Sequence, residues 1–162
     1  MNFSKLILLV FFLLPVSTGF AVEQKSLHHF DGDPKTVEDY FTPEKWTILM
    51  IWRHDCHVCN QEVGDYSFFH EDNEQAQVIG LSIDGMAKKD KAEQFISTHD
   101  LSFKNLIGEL GTVARYYQNK TGTRFLGTPT FMVFSPQGKL MAAQAGAIPP
   151  DVISDFISKQ SN

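Results

Sequence analysis

Two cysteines, Cys56 and Cys59, stand two residues apart in a chain that has no others. Thiols at that spacing can close to a disulfide within one helical turn, or share a soft metal ion, so the pair points to redox or metal chemistry. As a structural staple it would do little, because closing so short a loop removes little entropy from the unfolded chain. His54, Asp55 and His57 surround the pair, and Glu62 follows one helical turn later. His54, Cys56, His57 and Cys59 could together offer ligands to zinc or copper(I). A helix beginning near Cys56 would nevertheless send both imidazoles away from the sulfurs, and no second ligand pair follows, so redox chemistry is favoured and a copper- or zinc-binding chaperone module is the alternative. No metal site and no cofactor are assigned.

In a redox cycle Cys56, at the start of a helix, is the attacking group. Unpaired backbone N–H groups and the positive end of the helix dipole favour its thiolate. Its sulfur is expected to be exposed and that of Cys59 shielded, with Cys59 resolving the mixed disulfide. Nearby charges disagree: Asp55 opposes the thiolate, whereas Arg53 and a protonated His57 support it. Glu62 could take the proton that Cys59 must lose, or be an ordinary solvated glutamate. Further along, Gly127-Thr128-Pro129-Thr130 precedes an apolar run. Proline cannot donate to a sheet ladder, and a cis Thr128–Pro129 bond would turn this loop toward an extended substrate. On spacing alone, a trans proline at a strand entry is the commoner case.

These residues need a strand to deliver them and a helix to receive them. Residues 46–52 are almost continuously apolar, the pattern of a strand buried on both faces, and they lead directly to Cys56. Cys59, Val63, Tyr66 and Phe69 recur at helical spacing over residues 57–69. A second core strand is expected at 77–83, then a helix at 87–99 with Ala92, Phe95 and Ile96 inward, which suits a parallel βαβ connection. Residues 26–30 read as a short strand and 36–41 as a short helix, while 101–106 is ambiguous. A helix over 110–118 would bury Val113, Ala114 and Tyr117. Residues 130–134 and 139–144 flank a Ser135-Pro136-Gln137-Gly138 turn and read as a hairpin. A last helix beginning near Pro149 carries Val152, Phe156 and Ile157 as its core stripe. The fold class is α/β, a central mixed sheet with helices on both faces.

Residues 1–21 have one early charge, Lys5, an apolar run at 6–14, and a small-residue end at Gly19-Phe20-Ala21. That is the pattern of a secretory signal peptide cut after Ala21. The run falls short of the roughly 20 apolar residues of a membrane span, so cleavage is expected over an uncleaved tether. Residues 22–162 then form one domain. The whole chain has 14 basic and 19 acidic residues, a net charge of −5. With no basic stripe, a nucleic-acid partner is not expected.

Taken together, Trp52, Cys56-His57-Val58-Cys59, Glu62, the Phe125 to Phe131 loop and the hairpin after it resemble the thioredoxin superfamily, and within it the TlpA/ResA-like bacterial periplasmic thiol–disulfide oxidoreductases. The resemblance implies a thioredoxin-like fold, periplasmic location, a redox-active Cys56–Cys59 pair, and a cis Thr128–Pro129 bond against the dithiol. It implies an acid–base role for Glu62 and a substrate surface that includes Trp52, His57, Val58, Thr128 and Pro129. It further implies exported cysteine-containing proteins as substrates, such as apocytochrome c or a metallochaperone, and a DsbD- or CcdA-like membrane electron donor. Reduction of exported disulfides is the leading direction; disulfide oxidation or isomerisation is the alternative. Two departures matter: Asp55 stands where many members have a second tryptophan, and Met50 stands where cytoplasmic thioredoxins keep a buried aspartate.

Overall fold

Every residue from Trp46 to Trp52 is buried, and the other strands are arranged around this one. The structure, a computed structural model, describes residues 27–160; the expected signal peptide lies outside them. The strands β1 (Leu27–His29), β2 (Pro34–Lys35), β3 (Trp46–Trp52), β4 (Ala76–Ser82), β5 (Lys104–Gly108), β6 (Thr130–Phe134) and β7 (Leu140–Ala145) form one mixed sheet. Its order is β2-β1-β5-β4-β3-β6-β7. β3 runs parallel to β4 and antiparallel to β6, and β4 runs parallel to β5. The helices are α1 (His57–Asp72), α2 (Lys89–Thr98), α3 (Leu110–Thr121) and α4 (Pro150–Gln160).

Side chains alternate across a strand, so β3 serves two cores. Ile48, Met50 and Trp52 meet α1, α2 and α4 through Cys59, Val63, Tyr66, Ala92, Phe95, Ile153 and Ile157. Leu49 and Ile51 meet α3 on the other side through Val113 and Tyr117. This is the expected α/β architecture, a mixed sheet with helices on both faces.

One open segment is resolved and two local expectations are corrected. Residues 104–108, within and just past the ambiguous segment, form β5, whose second residue, Asn105, is buried by its bond to a tryptophan rather than by apolarity. The helix expected at 36–41 is a single 3-10 turn, Glu38–Tyr40. In α4 the buried stripe is Ile153 and Ile157, with Phe156 half-buried, while Val152 is exposed. The stripe is offset by one residue at the helix start.

Two long-range bonds seat α1 on the sheet. The Tyr66 hydroxyl donates to the carbonyl of Ile148 at 2.7 Å, tying α1 to the segment before α4. The Val78 N–H donates to Nδ1 of His70 at 3.1 Å, tying its last turn to β4. Burial holds His70 below the ordinary histidine value of 6.5, with the nearby Lys45 charge adding to the effect and Glu71 opposing it. The unfolded chain therefore binds more protons than the folded one just below that value. Stability should fall as pH drops through the window beneath 6.5 and recover above it. Urea midpoints for wild type and His70→Gln between pH 7.5 and 5 should converge at the acid end; parallel curves would refute this.

Gly80 sits where β4 passes between Trp52 and Asn105. A Cβ there would lie 1.8 Å from Asn105 Oδ1 and 2.8 Å from Trp52 Nε1, the two atoms that hydrogen-bond at 3.0 Å. Gly80→Ala should cost about 2 kcal/mol through overpacking and loss of that bond, seen as a lower denaturant midpoint with an unchanged slope.

Candidate functional site

The site begins where β3 ends. Trp52 donates its indole N–H to Asn105 Oδ1 and stacks on Phe95, with ring centroids 4.4 Å apart. It is 0% exposed. The expectation that Trp52 forms part of the substrate surface is therefore corrected: its ring is enclosed between strand and helix and anchors the strand end.

Beyond Trp52 the chain turns, with the Cys56 N–H donating to the carbonyl of Arg53 at 3.1 Å. Cys56 is the N-cap of α1, with extended φ and ψ of −79° and 110°. Its sulfur accepts the Cys59 N–H at 3.1 Å, one of the backbone donors that every helix start leaves unpaired. The two cysteines are joined by a disulfide with Cα atoms 5.2 Å apart. Cys56 is 8% exposed and Cys59 0%. The expected order of access holds, but Cys56 is far less open than a freely exposed sulfur would be. His57 and Val58, between them, are exposed.

The charges around the pair are partnered. Arg53 Nε donates to Asp55 Oδ1. Burial works to raise the Asp55 carboxyl, but the Arg53 hydrogen bond and charge, with the His54 charge, outweigh it and hold it below the usual range. The acidic neighbour is thus tied to a cation, which weakens its opposition to a Cys56 thiolate. Asn60, in the first turn of α1, donates from Nδ2 to the carbonyls of Cys56 at 2.8 Å and His54 at 3.3 Å. His99 Nε2 meets Asn60 Oδ1 at 2.9 Å, so the end of α2 braces the same turn.

Glu62 is half-buried one turn after Cys59. Burial raises the Tyr66 phenol, and the charge of Glu62, one turn earlier on α1, adds to that effect. Across the sheet, Thr130 pairs with Ile51, so Pro129 enters β6 at the end where β3 gives way to the dithiol loop. Thr128–Pro129 is cis. Gly127 has φ of 145°, a region side chains disfavour, and its carbonyl accepts the Thr130 hydroxyl at 2.6 Å. Pro129 is buried and Thr128 half-buried, while the neighbouring Leu126 is 79% exposed. The structure thus brings Cys56, His57, Val58, Cys59, Thr128 and Pro129 to one end of the sheet, with Glu62 one turn along α1.

Sequence reasoning missed Asp84. It follows β4 with its side chain fully buried, and Oδ1 lies 2.6 Å from His54 Nδ1. Oδ2 accepts the His54 N–H at 3.0 Å and the Ser82 hydroxyl at 2.7 Å. A carboxylate just past the carboxyl end of a core strand was the available signal, since sites in open α/β sheets gather there. Among the described residues no group of three or more His, Cys, Asp or Glu side chains is arranged to hold a metal ion.

Reduction of the pair should open the sulfurs unequally. Brief iodoacetamide treatment of the reduced chain should alkylate Cys56 at least about tenfold faster than Cys59, as a lone adduct on peptide mapping. Equal labelling would contradict the described burial.

The comparisons agree on the fold. A secreted disulfide oxidoreductase of Mycobacterium tuberculosis, homologous to Escherichia coli DsbE, superposes with a TM-score of 0.58 at 19% identity, over 78% of this chain and 90% of that one. StoA from Bacillus subtilis gives 0.62 at 15% identity, over 82% and 94%. An exposed lipoprotein thioredoxin of Streptococcus pneumoniae gives 0.63 at 19% identity, over 83% and 97%. No curated protein matches the chain. The AhpC/TSA family model matches residues 19–143, a span that takes in the dithiol, the cis-proline loop and six of the seven strands in full. The chain therefore belongs to the AhpC/TSA family, and its disulfide-forming Cys-x-x-Cys pair in a thioredoxin fold makes it a thiol–disulfide oxidoreductase.

Proposed function

We propose that this oxidoreductase is a TlpA/ResA-like protein of the periplasm that reduces disulfides in selected exported proteins. The observation that carries the reading is the setting of Cys56: an N-cap sulfur that receives a helix N–H and is the more accessible of the pair, at the sheet end that also holds the Thr128–Pro129 loop. The sequence of residues 1–21 supports export. Among the described residues, no helix is long and apolar enough to cross a membrane.

In the proposed cycle the Cys56 thiolate attacks a substrate disulfide. A Cys56–substrate bond forms, the substrate S–S bond breaks, and the released sulfur takes a proton. Cys59 then gives its proton to Glu62 and attacks Cys56 Sγ. The second substrate sulfur leaves with the electron pair and takes a proton, and the Cys56–Cys59 disulfide is restored. His57, Val58, Thr128 and Pro129 form the receiving surface, with Trp52 behind it. A membrane donor of the DsbD or CcdA kind would return two electrons, because an exported compartment lacks the reducing poise of the cytosol. Apocytochrome c and metallochaperones are the proposed client classes.

Cys59→Ser, expressed in the source cell, should accumulate mixed disulfides through Cys56 that dithiothreitol releases and mass spectrometry identifies. Absence of such adducts would remove the reading. Equilibration of the wild-type pair with glutathione fixes direction: a potential near about −270 mV fits a reductant, and one near about −120 mV would make the chain an oxidant.

A further inference from the structure

Asn60 is exposed in the first turn of α1, yet both polar atoms of its side-chain amide are engaged. Nδ2 donates to the Cys56 carbonyl at 2.8 Å and to the His54 carbonyl at 3.3 Å, and Oδ1 meets Nε2 of His99 at 2.9 Å. With Nδ2 fixed as the donor to two carbonyls, Oδ1 must accept, so the proton of the last bond belongs to His99 Nε2. The Cys56 carbonyl also accepts the Asn60 backbone N–H at 3.1 Å. One residue therefore uses both lone pairs of that oxygen, and the peptide plane leaving Cys56 is held from two directions.

Overall stability is a weak reason for these bonds. Exposed hydrogen bonds replace bonds to water at little net gain, and asparagine is a poorer helix former than alanine. What they join is more informative. His99 is the C-cap of α2, and its ring lies against Phe95 with centroids 4.5 Å apart; Phe95 stacks in turn on Trp52. Trp52 ends β3, and the turn that follows is closed by the Cys56 N–H on the Arg53 carbonyl. Contacts thus run in a circuit from the strand end, through α2 and Asn60, back to the Cys56 carbonyl. The dithiol loop is clasped at two carbonyls by bonds that do not involve the disulfide.

We propose that Asn60, backed by His99, is a positioning residue that keeps the reduced loop in the geometry of the disulfide and so sets how readily the pair closes. The inference rests on the oxidoreductase assignment and holds for either direction of transfer. In the oxidised chain the disulfide already confines residues 56–59, so the clasp costs little further freedom. When two glutathione thiols reduce the pair, their sulfurs join and the Cys56–Cys59 bond breaks. Two electrons and two protons pass to the two cysteine sulfurs. The loop is then free to relax except where Asn60 holds it. Relaxation would stabilise the dithiol, so the clasp favours the disulfide by keeping the two sulfurs oriented for closure. Coupling of this kind is reciprocal, and the disulfide strengthens the clasp by the same factor.

The test equilibrates the full wild-type chain, Asn60→Ala and His99→Ala with glutathione buffers and reads the oxidised fraction by alkylation and mass spectrometry. Asn60→Ala should lower the equilibrium constant for closing the disulfide by about fivefold, which raises the potential by about 20 mV. His99→Ala should move it the same way by about twofold. A merely structural loss would lower the urea midpoints of the oxidised and reduced chains equally and leave the potential unmoved. Coincident constants for wild type and Asn60→Ala would overturn the inference, and coincidence for His99→Ala would overturn the part given to His99. Alanine favours the helix at position 60; should that variant still fail to fold, the comparison passes to His99→Ala, where an unmoved constant overturns the inference. A wild-type pair that glutathione cannot reduce would sink the oxidoreductase assignment itself. A pair reduced with the same constant in every chain would sink this inference alone.

Discussion

A strand buried on both faces has no room for chemistry along its length, and that constraint organises this protein. β3 gives one set of side chains to α1, α2 and α4 and the other to α3. Everything charged or reactive must wait until the chain leaves the sheet after Trp52. The anchoring of Trp52 by Asn105 and Phe95 fixes where the turn begins, and hence where Cys56 can cap α1. Gly80 belongs to the same constraint, because the space above it is already filled by the tryptophan and its partner.

The charges near the sulfurs are arranged as closed pairs. Arg53 holds Asp55 and Asp84 holds His54, so the field at Cys56 is not the sum of loose surface charges. It is set by a few oriented groups, of which the Cys59 N–H is in direct contact. Oriented donors that need no rearrangement act on a charge as it forms.

Much of this was legible in the sequence because apolarity and spacing speak for themselves at β3, β4, α1 and the β6–β7 hairpin. The Cys56–Cys59 pair was legible for the same reason. β5 was not: Lys104 and Asn105 break its apolar run, and Asn105 is buried only because a tryptophan 53 residues earlier needs an acceptor. Asp84 was hidden in a similar way. A single aspartate after a strand reads as a turn residue until β3 and β4 align and set it against His54. Pro129 lay between the two cases, since its position could be read but its isomer followed only from resemblance. Polar burial depends on partners distant in the chain, and a local pattern does not reveal them.

The strand order has a consequence for how the molecule is made. β3 lies between β4, which follows it closely, and β6, which comes from the last third of the chain. A ribosome delivers Cys56 and Cys59 long before it delivers Pro129, and the carbonyl of Ile148 that holds Tyr66 arrives later still. During biogenesis the two thiols therefore exist for a time without the strand that later completes their end of the sheet, open to any oxidant or thiol they meet. The sheet end that carries the dithiol is complete only when the carboxyl-terminal third is in place.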